Sequence, residues 1–145
     1  MLNSIKNLFN MPLNATKKVA GVLKPDPRIN DKNKIDAPGP LPHVSRKALA
    51  RIPYCLEKPT SCHYCNGTVT IKNNSAVYKN QIGDWPYVYI CSDCSAYVGL
   101  HPHTDIPLGT LADKSTRQAR AENKKHFLLL SNLNRDKTRT EMYQW

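Results

Sequence analysis

Cys62 and Cys65 form one Cys-x-x-Cys pair and Cys91 and Cys94 a second, with 25 residues between the pairs. Two thiolates at that spacing reach one cation from a single tight turn, and four of them make the closed tetrahedral set of a structural zinc site. The expected cofactor is therefore one structural Zn2+ held by Cys62, Cys65, Cys91 and Cys94. Redox chemistry and disulfides are the alternatives that the same residues leave. Turn-forming residues accompany each pair: Asn66 and Gly67 follow the first, and Ser92 and Asp93 lie inside the second. Gly67 is expected to supply the positive φ that lets backbone amides point back at the sulfurs. Cys55 is the odd thiol, and a reduced side chain packed beside the site is preferred over a ligand role.

His101, His103 and Asp105 raise the question of a second metal or of acid–base work. A catalytic zinc needs three protein ligands and an open position, and a four-cysteine set leaves none open. His101 and Asp105 are therefore expected to hydrogen-bond their loop and the sulfurs, orienting the ligands from outside. The enzymatic rival is a nuclease in which a zinc ribbon braces a histidine–metal centre. No His-Asn-His pattern supports it, so the expectation is a protein that is not an enzyme.

These residues need turns fixed by strands. Thr68, Val69, Thr70, Ile71 and Lys72 alternate at period two, and Asn73, Asn74 and Ser75 make a turn before Ala76, Val77 and Tyr78, which predicts a hairpin. Residues 85–90 predict a strand feeding Cys91, with Trp85, Tyr87 and Tyr89 on one face and Pro86, Val88 and Ile90 on the other. Ala96, Tyr97 and Val98 predict a short returning strand. The fold class is thus small α+β: a four-cysteine zinc ribbon of short antiparallel hairpins packed on a C-terminal helix, with an extended Pro-rich N-terminal arm. Thr110 with Asp113 resembles a capping box, which predicts that helix over 111–130. The Trp85, Tyr87 and Tyr89 face either packs under it, the preferred reading, or stacks bases. Leu2, Ile5, Leu8 and Phe9 stand at helical spacing in the arm, residues 1–23. Five prolines between 25 and 42 predict an extended linker within 24–54, followed by a short helix capped by Ser45 and stopped by Pro53. The ribbon spans 55–109 and the basic helical region 110–145, where Thr138 begins what reads as a last helix.

Net charge is +10 over 145 residues, and it is uneven. Residues 1–54 carry ten Lys and Arg against three acids, residues 55–109 three against four, and residues 110–145 eight against four. The flanks, not the ribbon, carry the surplus, so acidic partners are expected there. Lys114, Arg117, Arg120, Lys124 and Lys125 recur at helical steps and are the expected nucleic-acid contacts, to DNA or RNA. The second reading is an adaptor for a transcription-machinery or virion component, docking through the ribbon face and the N-terminal helix. No stretch approaches 18 apolar residues, so no membrane partner is expected. The N-terminus lacks the apolar run of a secretory signal, and paired cysteines that must stay reduced fit a cytoplasmic protein.

From about residue 60 to 145 the chain resembles a bacterial and phage family of zinc-finger-containing proteins without an assigned function. The resemblance rests on Cys91 to Gly99 (Cys-x-x-Cys-x-Ala-Tyr-Val-Gly), on His101, Pro102, Thr104 and Asp105, on Pro107 to Asp113 (Pro-Leu-Gly-Thr-Leu-Ala-Asp), and on a basic helix reaching His126 and Phe127. It implies a zinc site and, if the chain is phage-encoded, the host cytoplasm. Leu100 stands where the family often has Cys, and His103 where it has a small residue. Arg139, Tyr143 and Trp145 match a segment past which the family tends to continue.

Overall fold

The structure, a computed structural model, describes residues 25–134, Lys137, Thr138 and Glu141. Its centre is an antiparallel sheet of β1 (Val69–Asn73), β2 (Tyr87–Cys91) and β3 (Tyr97–Gly99), in that order. Val69 pairs with Cys91 and Ile71 with Tyr89 on one side of β2, and Tyr89 pairs with Val98 on the other. Val88, Tyr89, Ile90 and Cys91 are all buried, so the middle strand is covered on both faces.

The hairpin expected over 68–78 does not form. After β1 the chain closes one helical turn, α2 (Ser75–Tyr78), and β1 pairs with β2 instead. Asn74 supplies the reason. It is buried, donates to the Ile82 carbonyl at 2.8 Å and accepts from the Ile82 N–H at 3.1 Å. Those two bonds tie residues 74–82 into a closed excursion and take residues 76–78 away from the sheet.

The stretch up to residue 43, expected from its prolines to be an extended linker, packs on the fold instead. Asp26 caps a 3-10 turn (Pro27–Asn30), and Ser45 caps α1 (Arg46–Leu49) by accepting from the Ala48 N–H at 3.4 Å, as expected. Leu41 enters the core cluster built around Val69, Tyr89, Val98, Leu100 and Leu111. Val44, Leu49 and Ile52 form a second cluster with Ile106. Fully burying a side chain of this size contributes about 1.5–3 kcal/mol. The prolines restrict the local backbone, but the leucine, valine and isoleucine side chains between them decide where the segment goes.

Residues 100–107 bridge the two clusters, since Leu100 belongs to the first and Ile106 to the second. The loop closes on itself: the His101 N–H donates to the Ile106 carbonyl at 2.9 Å and the Thr104 hydroxyl to the His101 carbonyl at 3.0 Å. His103 stands at φ 59°, the left-handed region that glycine adopts most easily. The Trp85, Tyr87 and Tyr89 face meets this loop, not the C-terminal helix. Tyr89 donates its hydroxyl to the Asp105 carbonyl at 2.7 Å, and the Trp85 indole N–H donates to the Thr104 carbonyl at 3.1 Å.

The last long element is α3 (Lys114–Leu133). Its cap is Asp113, whose carboxylate accepts from the Thr116 N–H at 2.8 Å, three residues later than a start capped by Thr110 predicts. Ala112 exchanges both backbone bonds with Tyr97, at 3.0 and 3.1 Å, and that pairing holds 111–112 extended. The helix is fixed at its start, where the Tyr64 hydroxyl meets that of Thr116 at 3.0 Å and the Arg117 guanidinium lies 4.2 Å from the centre of the Tyr97 ring. Beyond that anchor it carries no buried residue, so it projects from the ribbon more than it supports it. Thr138 and Glu141 exchange the bonds of a capping box. The helix expected at Leu2, Ile5, Leu8 and Phe9 lies outside the described residues. No helix among the described residues is long and apolar enough to cross a membrane.

Candidate metal centre

Two turns of the same design face each other. In the first, Cys62 bonds across to Gly67 (N–H to carbonyl, 2.9 Å), and Ser61 bridges Thr68. In the second, the Cys91 N–H donates to the Ala96 carbonyl at 2.9 Å. The left-handed position falls just after the second cysteine of each pair, at Asn66 (φ 58°) and Ser95 (φ 58°). The Tyr64 N–H points at the Cys62 sulfur and the Asp93 N–H at the Cys91 sulfur, each at 3.4 Å. Gly67 and Ala96 supply the corresponding backbone bonds to Cys65 and Cys94. Each pair thus presents one buried cysteine, Cys62 or Cys91, and one whose residue surface is exposed, Cys65 or Cys94.

The positive φ expected of Gly67 belongs to Asn66, and Gly67 is needed for a different reason. A Cβ there would stand 2.4 Å from the Asp93 carboxylate and 2.9 Å from the Cys91 sulfur. The carboxylate can swing away, but the sulfur is held by its turn. Gly67→Ala is therefore expected to lower zinc affinity by about 10–100-fold, the range for groups that orient metal ligands. Titration against a competing chelator reads it, and an unchanged affinity contradicts the packing described.

The four sulfurs all lie within 4.8 Å of one another. Cys62 and Cys94 are 3.5 Å apart, and Cys65 and Cys91 3.4 Å. Four sulfurs placed tetrahedrally at the usual Zn–S length of about 2.3 Å stand roughly 3.8 Å apart, so the set fits one zinc ion. The thiols also cannot all ionise unaided. The Cys94 N–H, and after it that of Asp93, hold the Cys91 thiol down to about 7 against desolvation. The Ala96 N–H favours the Cys94 thiolate, but burial and the three sulfurs around it push that thiol up to about 12. A divalent cation removes the conflict by stabilising all four thiolates together. When bound, zinc cross-links the two turns, and the sheet and the N–H donors aim the sulfurs.

Cys55 does not join the set. It packs on the second core cluster, where burial and the nearby Asp26 push its thiol pKa up. His101 bonds within its loop, as expected, while the Asp105 carboxylate bonds Arg28 and Lys58 and not a sulfur. Asp105 is fully buried and ion-paired to Arg28 at 2.7 Å and to Lys58 at 2.6 Å. Burial pushes its carboxyl pKa up, but the Arg28 and Lys58 bonds outweigh it and hold the group below the usual range. Arg28 binds Asp26 as well, at 2.6 Å. This network joins a residue near 28 to the ribbon loop, and the sequence carries no local signal for a pair 77 positions apart. His101 is half-buried, and burial lowers its pKa.

The five cations expected to meet nucleic acid lie on α3 but are not equivalent. Lys114, Lys124 and Lys125 are exposed. Arg120 is exposed and donates to the Thr110 hydroxyl at 3.2 Å. Arg117 is committed to the Tyr97 ring and the Ala112 carbonyl, and so belongs to the helix anchor.

Searches of the curated proteins and of the solved structures give no significant match. A family model described as a zinc-finger-containing domain matches residues 58–145, the stretch that holds all four clustered cysteines, the 100–107 loop and α3. The chain belongs to this family of zinc-finger-containing domains.

Proposed function

We propose that the chain is a non-enzymatic nucleic-acid-binding protein whose structural zinc ribbon holds basic flanking segments in place. The observation that carries this reading is α3. It is a 20-residue helix with no buried residue, bearing five cations and one acid, Glu122. A helix so weakly packed is marginal in water, and a polyanion lying along it would supply the missing stabilisation. Leu128, Leu129, Leu130 and Leu133 are exposed at its far end, and they favour a second reading in which that end docks on a protein.

Salt-dependent binding separates the two. Fluorescence anisotropy against labelled DNA is expected to give a steep salt slope. Lys114→Ala, Lys124→Ala and Lys125→Ala together should flatten it by about 0.7–0.9 units for each phosphate no longer neutralised. Arg117 is left intact because its removal would loosen the helix itself. Absence of binding by the wild type at low salt removes the nucleic-acid reading and promotes the docking one.

A further inference from the structure

His43 is exposed, and its ring stacks on that of His103 with centroids 5.4 Å apart and planes 19° apart. Both rings contact the Trp85 indole, at 5.2 and 5.1 Å. The indole is fixed by its bond to the Thr104 carbonyl and by the Tyr87 ring at 5.1 Å. His43 lines a cavity of about 540 Å³ that also carries Lys34, Arg46 and Lys47, with Asp36 as its one acid. His103 lines a second cavity of about 360 Å³ that carries Arg51 and the exposed Tyr54. The stacked imidazoles thus join two concavities whose linings hold four Lys and Arg against one carboxylate. None of the four cations makes an ion pair among the described residues. The Arg46 guanidinium donates to the Asn33 carbonyl, and its Nε is buried without a partner.

We propose that this face is a track for single-stranded nucleic acid, with an unpaired base on the His43, His103 and Trp85 rings and its flanking phosphates at Lys34, Arg46 and Lys47 on one side and Arg51 on the other. The inference rests on the nucleic-acid reading above and gives that reading its form. Aromatic and imidazole rings take up the flat face of a base, and only an unpaired base offers that face. A duplex brings phosphates but keeps its base faces covered. Cations in both cavities suit a strand that continues past the rings, whereas a free nucleotide would use one cavity. Most of the track lies before residue 58, where the family match begins, so family membership does not account for it.

The test uses the full zinc-loaded chain, with anisotropy of a labelled oligothymidylate strand and of the same strand paired with oligoadenylate. The strand is expected to bind more tightly than the duplex. His43→Ala with His103→Ala should weaken strand binding by about 5–150-fold, the range for loss of one stacked base, and leave the duplex and the salt slope nearly unchanged. His43→Phe, which keeps a ring on the exposed side of the stack and leaves His103 at its positive φ, should retain strand binding. Lys34→Gln with Lys47→Gln should reduce the strand's salt slope by about 0.7 per residue. Zinc content and circular dichroism confirm that each variant is folded. Strand binding that survives the double alanine variant but falls with the α3 lysines overturns the track and keeps the nucleic-acid reading. Failure of the wild type to bind either form overturns both.

Discussion

Cys62→Ser is expected to abolish zinc binding and unfold the ribbon, while Cys55→Ser leaves both in place. Cys62 is fully buried and its sulfur accepts the Tyr64 N–H, so a serine hydroxyl there is a poor ligand in a site shaped for a thiolate. Structural zinc contributes apparent free energies of about 10–16 kcal/mol in small domains, as much as or more than the whole stability of about 5–15 kcal/mol. The ribbon has little core to set against that loss, since its sheet has three short strands. Cys55 is half-buried on the second cluster and outside the sulfur set, so a hydroxyl in its place costs no more than about 1–3 kcal/mol. Thermal unfolding with metal analysis of both variants provides the comparison. Equal destabilisation of the two would make Cys55 a ligand or a disulfide partner.

Asp105→Asn is expected to cost about 3–5 kcal/mol, because it removes the counter-charge that Arg28 and Lys58 share inside the fold. The side chain of Asp105 is 1% exposed, against 26% for Arg28 and 41% for Lys58. The buried partner of a network carries the large penalty, and Lys58→Ala should cost less than about 1 kcal/mol, as exposed ion pairs do. The Asp105 variant should melt about 10 °C or more below the wild type. Its pH dependence has a fixed sign. Asp105 and Asp26 both lie below the ordinary carboxylate value, Asp26 because Arg28 hydrogen-bonds it. The folded state therefore holds fewer protons than the unfolded state near pH 4, and the carboxylates stabilise fully above the unfolded value of about 3.9. That stability is lost as pH falls through the lowered folded values. Urea denaturation of wild type and variant should show a gap that is flat from about pH 7 to 5 and narrows only on approach to pH 4. A gap that changes between pH 7 and 5 would assign the effect to a histidine instead.

Cys62, Cys65, Cys91 and Cys94 are legible in the sequence because metal ligation by Cys-x-x-Cys turns follows a local spacing rule. The β2 and β3 strands are legible for a similar reason, as apolar runs directly beside the second pair. Residues 76–78 read as a strand but fold as a helical turn, because Asn74 is buried by its bonds to Ile82 and nothing near it in the chain announces that. The start of α3 lies three residues beyond its sequence signal because Ala112 pairs with Tyr97, a contact between segments that do not adjoin. Residues 24–43 read as a linker from their prolines, although Ile29, Ile35 and Leu41 among them are apolar and pack on the two clusters. The Arg28–Asp105 pair has no such signal, and it changes the meaning of the His101 to Asp105 loop from a support of the metal to a clasp on the N-terminal segment.

One zinc ion held by Cys62, Cys65, Cys91 and Cys94 would cross-link the two turns of the ribbon, and the folding free energy of the ribbon is expected to depend on it. Metal analysis of the purified chain, followed by circular dichroism during titration with a strong chelator, tests this most directly. The expected result is one zinc per chain, with loss of the sheet signal as the metal is withdrawn and recovery when zinc is returned. A metal-free chain that keeps its fold would contradict the account.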